Sequence, residues 1–127
     1  MNYPDGLKYS KTHEWVKMLD TYSCLIGITD FAQSELGDVV FINLPKIGDE
    51  VVKNEVLCDV ESVKAVSDVI SPVSGTISEV NEGLVDAPEM LNKDPFGSWI
   101  AKVEKITASL DLMDAAQYEK FIKTEEV

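Results

Sequence analysis

The sequence has no arginine, and residues that commonly build active sites and metal centres are scarce. Its 127 residues include a single histidine, His13, so a multi-histidine metal site is excluded. A serine–histidine pair would have to use His13, and a lone histidine is more often structural than catalytic. The seven glycines are scattered over turns and form no phosphate-binding loop. We therefore expect no enzyme in its own right: any part in catalysis would depend on a group attached to the chain.

Cysteine is also sparse. Cys24 and Cys58 lie far apart, so they form neither a CxxC motif nor a disulfide framework. Because apolar residues surround both, the sequence predicts buried, reduced thiols.

Long apolar runs are missing as well. No segment approaches the roughly 20 apolar residues of a membrane-spanning helix. The first six residues contain neither a basic segment nor an apolar run, which predicts that no secretory signal is present. A bacterial cytoplasmic location is the expectation, with a mature mitochondrial form as the alternative.

Charge is strongly one-sided. The 23 acidic residues outnumber the 11 lysines, which gives a net charge of -12. Nucleic acid phosphates and anionic membrane leaflets would repel such a surface, so neither is an expected partner. Solubility is the simplest role for the acidic residues, and steering toward basic docking faces is the other.

The composition suits one compact domain over residues 1–127, since 45% of the residues are hydrophobic. Short runs of β-type composition alternate with turn residues, which favours a flattened antiparallel barrel or sandwich. Strands are predicted over residues 15–17, 23–28, 39–44, 51–52, 55–61, 65–70, 76–80 and 99–103.

Two short helical segments interrupt the strands. Residues 30–36 fit a helix with Asp30 as its N-cap and Gly37 as its stop. A further helical turn is predicted to begin at Pro88, because proline is favoured at the first helical position.

A longer helix is predicted near the end of the chain, over about residues 114–123. Asp114 and Gln117 have the spacing of a capping box. Met113 and Tyr118 occupy the two positions of a hydrophobic staple, so this helix is expected to pack on the sheets.

One lysine lies in a distinctive position. Within residues 55–70, two runs of alternating apolar and polar residues flank Ser62-Val63-Lys64. This pattern predicts a hairpin with Lys64 at or near its tip. By spacing alone, an ordinary solvated lysine is the more common explanation.

The segment Val60-Glu61-Ser62-Val63-Lys64-Ala65-Val66-Ser67-Asp68 closely resembles the lipoylation motif of the glycine cleavage H-protein family. Further blocks resemble the same family, in the same order, from about Leu7 to Phe121. They are His13-Glu14-Trp15-Val16, Gly27-Ile28-Thr29-Asp30-Phe31-Ala32-Gln33, Leu36-Gly37-Asp38-Val39-Val40-Phe41, Ser71-Pro72-Val73-Ser74-Gly75, Glu79-Val80-Asn81 and Asn92-Lys93-Asp94-Pro95-Phe96-Gly97. Any one block is weak evidence, whereas the ordered set is specific.

The resemblance implies lipoic acid in amide linkage to Lys64, on a fold of the lipoyl-domain (biotinyl/lipoyl-carrier hammerhead) type. It implies a monomeric, non-catalytic shuttle. A pyridoxal-phosphate-dependent glycine decarboxylase would load the aminomethyl group, and a tetrahydrofolate-dependent aminomethyltransferase would remove it. Dihydrolipoamide dehydrogenase would take the electrons, and lipoyl-attaching enzymes would be further partners. Such a carrier needs no catalytic constellation, because the cofactor supplies the thiol–disulfide chemistry.

The neighbours of Lys64 take roles from the same resemblance. Glu61 matches an acid that lipoyl-attaching enzymes favour, with an ordinary strand-end charge as the equal alternative. Gly75 matches a turn glycine of the family, for which we expect a positive φ angle, and the resemblance also implies a role in recognition by the attaching enzyme. Val63 and Ala65 argue against biotin, because biotin carriers usually have methionine on both sides of the lysine.

In the family, the loaded arm folds into a cleft on the protein surface. Thr12, Glu14 and Asp68 match positions near that cleft, and an anionic carboxylate could accept a hydrogen bond from a protonated amine. The alternative is that Glu14 and Asp68 are exposed acids with no special partner.

Two other functions remain open at this point. The chain could be an H-like lipoyl donor or relay that passes the group to other lipoyl-dependent enzymes or modification systems. It could also be a lipoyl domain cut from a larger acyltransferase, although such domains run into flexible linkers. The capped helix that begins near Asp114 argues against the last alternative.

Overall fold

The computed structural model describes residues 3–125. Its strands are β1 (Lys8–Tyr9), β2 (Glu14–Asp20), β3 (Ser23–Ile28), β4 (Val39–Asn43), β5 (Glu50–Val51), β6 (Val56–Ser62), β7 (Val66–Ile70), β8 (Val73–Val80) and β9 (Ala101–Ser109). Its helices are α1 (Asp30–Leu36), α2 (Gly83–Asp86), α3 (Met90–Lys93) and α4 (Ala115–Glu125). None of these helices combines the length and the hydropathy needed to cross a membrane.

The strands form two antiparallel sheets. The larger sheet has the order β1-β2-β3-β9-β8-β5, and the smaller has the order β4-β6-β7. The predicted fold class, a flattened antiparallel sandwich with a C-terminal helix, is confirmed, although the two sheets stay separate. A core of apolar side chains from both sheets fills the space between them, with Ile26, Val60 and Val103 fully buried. Cys24 and Cys58 are free thiols buried in this core, as predicted.

An aromatic cluster fixes α4 against the larger sheet. The rings of Tyr9 and Tyr118 stack with their centroids 4.8 Å apart, and Tyr3 meets both rings edge-on. The capping box is confirmed: Gln117 N–H donates to Asp114 Oδ1 (2.8 Å), and Asp114 N–H donates to Gln117 Oε1 (2.9 Å).

The cap of α1 differs from the prediction. Thr29, not Asp30, is the N-cap residue, and its hydroxyl accepts a hydrogen bond from Ala32 N–H. Asp30 instead accepts from the Gln33 side chain at 2.8 Å. Both residue types favour caps, so the sequence pattern alone did not separate them.

The predicted last strand ended too early. β9 begins at Ala101 and continues to Ser109, and a bulge that includes Lys105 (φ 54) separates its two paired stretches. The short helix α2 was not predicted. The helical turn predicted at Pro88 begins at Met90, as α3.

Candidate functional site

A hairpin of β6 and β7 presents Lys64 in the connection between the two strands. Ser62 holds this connection: its N–H donates to Ala65 O at 2.8 Å. Its hydroxyl oxygen accepts from the N–H groups of Lys64 (3.3 Å) and Ala65 (3.2 Å). The hairpin tip is thereby shaped by one side chain, while the Lys64 side chain is exposed. Sequence reasoning did not single out Ser62, although a serine ahead of a tight turn is a known turn signal.

The tip is also tied to the loop after α1. Val63 N–H donates to Asp38 O at 3.0 Å. Gly37 has a φ of 78°, and Lys64 Cε lies 3.5 Å from the point where a Cβ on Gly37 would be. The stem of Lys64 therefore lies beside Gly37, at ordinary van der Waals distance from where a side chain on that residue would begin.

Asn92, from α3, fixes this loop in place. Its amide nitrogen donates to Gly37 O and to Gln33 Oε1, both at 2.9 Å. Its amide oxygen accepts from Val39 N–H at 2.8 Å. One side chain thus joins the end of α1 to the start of β4 beneath the tip.

A cavity of about 300 Å³ opens beside Lys64, between α1, the loop before β2 and the edge strand β7. Its lining residues are Thr12, His13, Glu14, Ile28, Ala32, Glu35, Leu36, Val60, Ala65, Val66, Ser67, Asp68 and Val69. The three residues that the resemblance placed near a cleft, Thr12, Glu14 and Asp68, all lie in this wall.

Glu14 is the buried acid of the cavity, with 2% of its surface exposed. Its Oε1 accepts hydrogen bonds from the hydroxyls of Ser10 (2.7 Å) and Thr12, and its Oε2 accepts from Ile70 N–H (3.2 Å). Burial raises the pKa of the Glu14 carboxyl to about 7, although these hydrogen bonds lower it. The alternative that Glu14 is merely an exposed acid is therefore wrong.

Two further acids line the cavity. Asp68 and Glu35 are exposed at its wall, on β7 and α1 respectively, and Glu35 was not expected there. The lining contains no lysine within the described part of the chain, so a positively charged group is the complementary ligand.

His13 also lies in the wall, but both of its ring nitrogens have partners. Nδ1 is 2.8 Å from the hydroxyl of Tyr118, and Nε2 is 2.8 Å from Oε2 of Glu125. The Tyr118 hydroxyl also lies 2.7 Å from Thr29 Oγ1. His13 thus connects α4 to the cavity wall, which favours the structural role.

Glu61 and Gly75 lie outside the cavity lining. Glu61 is on β6 and is paired across the strands with Phe41 and Val66. The prediction of a turn with positive φ at Gly75 is wrong, because Gly75 lies within β8 and its φ is not positive. A Cβ there would be 2.6 Å from both Glu104 O and a Val103 methyl carbon, so close approach of β9 requires the glycine.

Known proteins resemble this chain in both sequence and structure. Residues 7–125 match the family model described as glycine cleavage H-protein. A probable glycine cleavage system H protein of Pyrococcus abyssi is 54% identical over 123 residues, covering 94% of this chain and 92% of the relative. A glycine cleavage system H protein of Lachnoclostridium phytofermentans is 50% identical over 125 residues, covering 98% of each chain. The crystal structure of a glycine cleavage system H protein from Mycobacterium marinum superposes with a TM-score of 0.86 at 35% identity, covering 98% of this chain and 100% of the other.

Proposed function

Because the chain belongs to the glycine cleavage H-protein family, we propose that it carries lipoic acid in amide linkage on Lys64 as a shuttle of that system. It would move the aminomethyl group of glycine from the pyridoxal-phosphate-dependent decarboxylase to the tetrahydrofolate-dependent aminomethyltransferase. It would then deliver electrons to dihydrolipoamide dehydrogenase. The observation that carries this proposal is the position of an exposed lysine directly beside an acidic cavity.

The residues around Lys64 fit an acylated lysine. The side chain is exposed at the tip, so its amine is open to an attaching enzyme. Its stem lies beside Gly37, and Ala65, which follows Lys64 in the chain, is part of the cavity wall. An arm attached at Lys64 can therefore either extend into solvent or turn into the cavity.

Lipoic acid would supply a dithiolane that accepts the aminomethyl group and passes on two electrons. The chain itself would hold the amine of the loaded arm and keep water from it. Glu14 is placed for this task, because its carboxylate is held by three donors and faces the cavity. Thr12 and Asp68 would complete the polar contacts, with charge-assisted hydrogen bonds to an ammonium group.

We propose that the chain is a carrier rather than a catalyst, so its partners perform each chemical step. Tethering raises the concentration of the arm at each partner's active site. A single domain over residues 1–127, a monomeric state and a cytoplasmic location complete the proposal. Each partner encounter should be brief, because the carrier must leave before it can meet the next enzyme.

The test is exchange of labelled bicarbonate into glycine. The protein would be lipoylated, checked by intact mass, and mixed with the pyridoxal-phosphate decarboxylase. We expect exchange with the wild type, none with Lys64→Ala, and wild-type exchange with Lys53→Ala, a matched exposed lysine in the loop before β6.

Absence of exchange by the lipoylated wild type would contradict the glycine shuttle. The remaining function would be the lipoyl donor or relay, for which exposure of Lys64 is sufficient and the cavity is unnecessary. Transfer of the lipoyl group from this chain to an acceptor lipoyl domain would then be measured.

A further inference from the structure

Ser10 supplies a buried hydroxyl behind the wall of the cavity. It directly follows β1, is 1% exposed and does not line the cavity itself. Its N–H donates to Glu14 O at 2.9 Å, and its carbonyl accepts from His13 N–H at 3.1 Å. His13 has a φ of 73°, in the left-handed region that tight turns use. The turn between β1 and β2 therefore holds Ser10 in place next to Glu14.

The Ser10 hydroxyl is bonded to two different parts of Glu14. Its oxygen accepts from the backbone N–H of Glu14 at 3.0 Å, and its hydrogen is donated to Glu14 Oε1 at 2.7 Å. The other acceptors in reach are more distant, with Thr12 Oγ1 at 3.3 Å and Glu14 O at 3.4 Å. One hydroxyl thus connects the backbone of Glu14 to the end of its side chain, which restricts rotation about each bond between them.

The two carboxylate oxygens of Glu14 differ in their partners. A carboxylate has about four acceptor positions, two on each oxygen. Oε1 accepts from the hydroxyls of Ser10 and Thr12, so both of its positions are filled. Among the described residues, Oε2 accepts from Ile70 N–H alone, at 3.2 Å. One acceptor position on Oε2 is therefore left for a donor that enters the cavity.

We infer that Ser10 is a positioning residue for the loaded arm: it fixes the Glu14 carboxylate so that the open position of Oε2 receives the cationic amine. The inference rests on the proposed function, because the amine is that of the aminomethyl group. Ser10 does not line the cavity, so it acts on the amine only through Glu14. The physical basis is preorganisation, since a carboxylate that is already held in one orientation loses little freedom when it binds a cation.

Thr12 cannot take over this role. Its hydroxyl contacts the same oxygen, Oε1, but Thr12 is exposed, whereas Ser10 is buried. The Glu14 backbone N–H donates to Ser10 Oγ, so Ser10 alone of these two hydroxyls joins both ends of the Glu14 side chain. Fixing the orientation of the carboxylate therefore depends on Ser10.

Other titratable groups surround Glu14. Burial raises the pKa of the Cys58 thiol to about 12 and raises the pKa of the Tyr118 hydroxyl above its usual range, so both stay neutral near pH 7. The remaining groups lie in the cavity wall and are His13, Glu35 and Asp68. A substitution at Ser10 keeps all of these groups, so a change in the titration of Glu14 reports on the Ser10 hydroxyl.

The first measurement uses the unmodified chain and needs no lipoyl group. Carbon-13 NMR of the Glu14 carboxyl carbon follows its pKa, which is about 7 in the wild type. The Ser10 hydroxyl lowers this pKa, so Ser10→Ala should raise it by about one unit. Hydrogen exchange at the Ile70 amide separates orientation from charge. It should accelerate about ten-fold, because a carboxylate that is free to rotate no longer holds this N–H.

Two further variants control this measurement, and thermal unfolding checks the fold of each. Ser10→Cys fills the same space with a weak donor, so it should change both readouts in the same direction even if Ser10→Ala is too unstable to study. Ser98→Ala removes another buried serine hydroxyl, which donates to Met90 O at 2.9 Å and lies outside the cavity lining. It should match the wild type in both readouts.

The second measurement uses the lipoylated chain, reduced with a phosphine and then loaded with formaldehyde and ammonia. One thiol of the arm, one formaldehyde and one ammonia give the S-aminomethyl group and one water, and hydrolysis reverses this step. Loss of ammonia from the loaded chain, without any partner enzyme, reports how firmly the amine is held. Ser10→Ala should lose ammonia about ten-fold faster than the wild type, and Ser98→Ala should lose it at the wild-type rate.

The outcomes separate this inference from the proposed function. If Ser10→Ala and Ser10→Cys keep the wild-type pKa of Glu14 and the wild-type exchange at Ile70, the inference is overturned, and bicarbonate exchange still decides the proposed function. If the Ser10 variants change both readouts but lose ammonia at the wild-type rate, the inference is also overturned. If the loaded wild type loses ammonia as fast as Glu14→Gln, the proposed role of Glu14 fails, and the inference fails with it.

Discussion

The backbone N–H of Ile70 donates a 3.2 Å hydrogen bond to Oε2 of Glu14. This contact joins the last residue of β7, in the hairpin that carries Lys64, to the first residue of β2 in the larger sheet. Glu14 therefore lines the cavity and also connects the two sheets beside it. Changes in the protonation of Glu14 should therefore affect both folding stability and the cavity.

Glu14 should make the stability of the protein depend on pH. Burial raises the pKa of its carboxyl from an ordinary 4.5 to about 7 in the folded protein. Between these values the folded state keeps a proton that the unfolded state has released, so the free energy of unfolding falls as pH rises. By pH 8 the free energy of unfolding has fallen by about 3 kcal/mol from this cause, at about 1.4 kcal/mol per pKa unit.

The measurement is urea unfolding of the wild type and of Glu14→Gln from pH 4 to pH 8. The variant should lack the decrease, because its amide does not titrate, while Glu35→Gln, an exposed acid of the same wall, should retain it. Parallel profiles for wild type and Glu14→Gln would show that Glu14 titrates at its ordinary pKa.

Ser62 should control the order of the hairpin tip. Its hydroxyl is the acceptor for the N–H groups of Lys64 and Ala65, and a hydrogen bond of this kind contributes about 0.5–1.5 kcal/mol. In Ser62→Ala, hydrogen exchange at these two amides should accelerate by up to about ten-fold, as followed by NMR.

Ser34→Ala is the matched control, because it removes a serine hydroxyl that donates within α1, to Phe31 O. It should leave the tip amides unchanged. Equal exchange rates in the wild type and Ser62→Ala would mean that the strands alone shape the tip.

Gly75 should be required for folding stability. The Cβ of an alanine would lie 2.6 Å from both Glu104 O and a core methyl carbon of Val103. Gly75→Ala should therefore lower the free energy of unfolding by about 1–3 kcal/mol, the usual effect of overpacking.

Thermal and urea unfolding would measure this effect, with Gly83→Ala as the control. At Gly83, a Cβ meets only the end of the Asn81 side chain, at 3.3 Å. If the two variants are equally stable, the close approach of β9 is not what requires a glycine at position 75. A role of Gly75 in recognition by an attaching enzyme stays a prediction, and the lipoylation rate of folded Gly75→Ala would test it.

Some features followed from local patterns in the sequence. The capping box of α4 joins residues three apart, and both of its hydrogen bonds are present. The two strands around Lys64, which alternate apolar and polar residues, are also close in the sequence, and only a few residues connect them. Such features can be predicted from the sequence because the interacting groups lie close together along the chain.

Other features depended on residues far apart in the sequence. Gly75 was expected to need a positive φ, but its reason is β9, almost thirty residues later. Thr29 rather than Asp30 caps α1, and its hydroxyl also meets Tyr118 of α4. A local sequence pattern cannot predict which of two suitable residues will contact a helix that is distant in the sequence.

The sequence by itself determined the family and the class of fold. It also predicted that Lys64 lies at a hairpin tip, from an ordered set of motifs and from the alternation of apolar and polar residues in the two flanking strands. Only the tertiary structure decided that Glu14 is buried, that Glu35 joins it in the cavity wall, and that Phe41 and Val66 flank Glu61. The physical reason is that alternation and turn chemistry act between neighbours in the chain, whereas desolvation and the pairing of strands depend on which distant segments pack together.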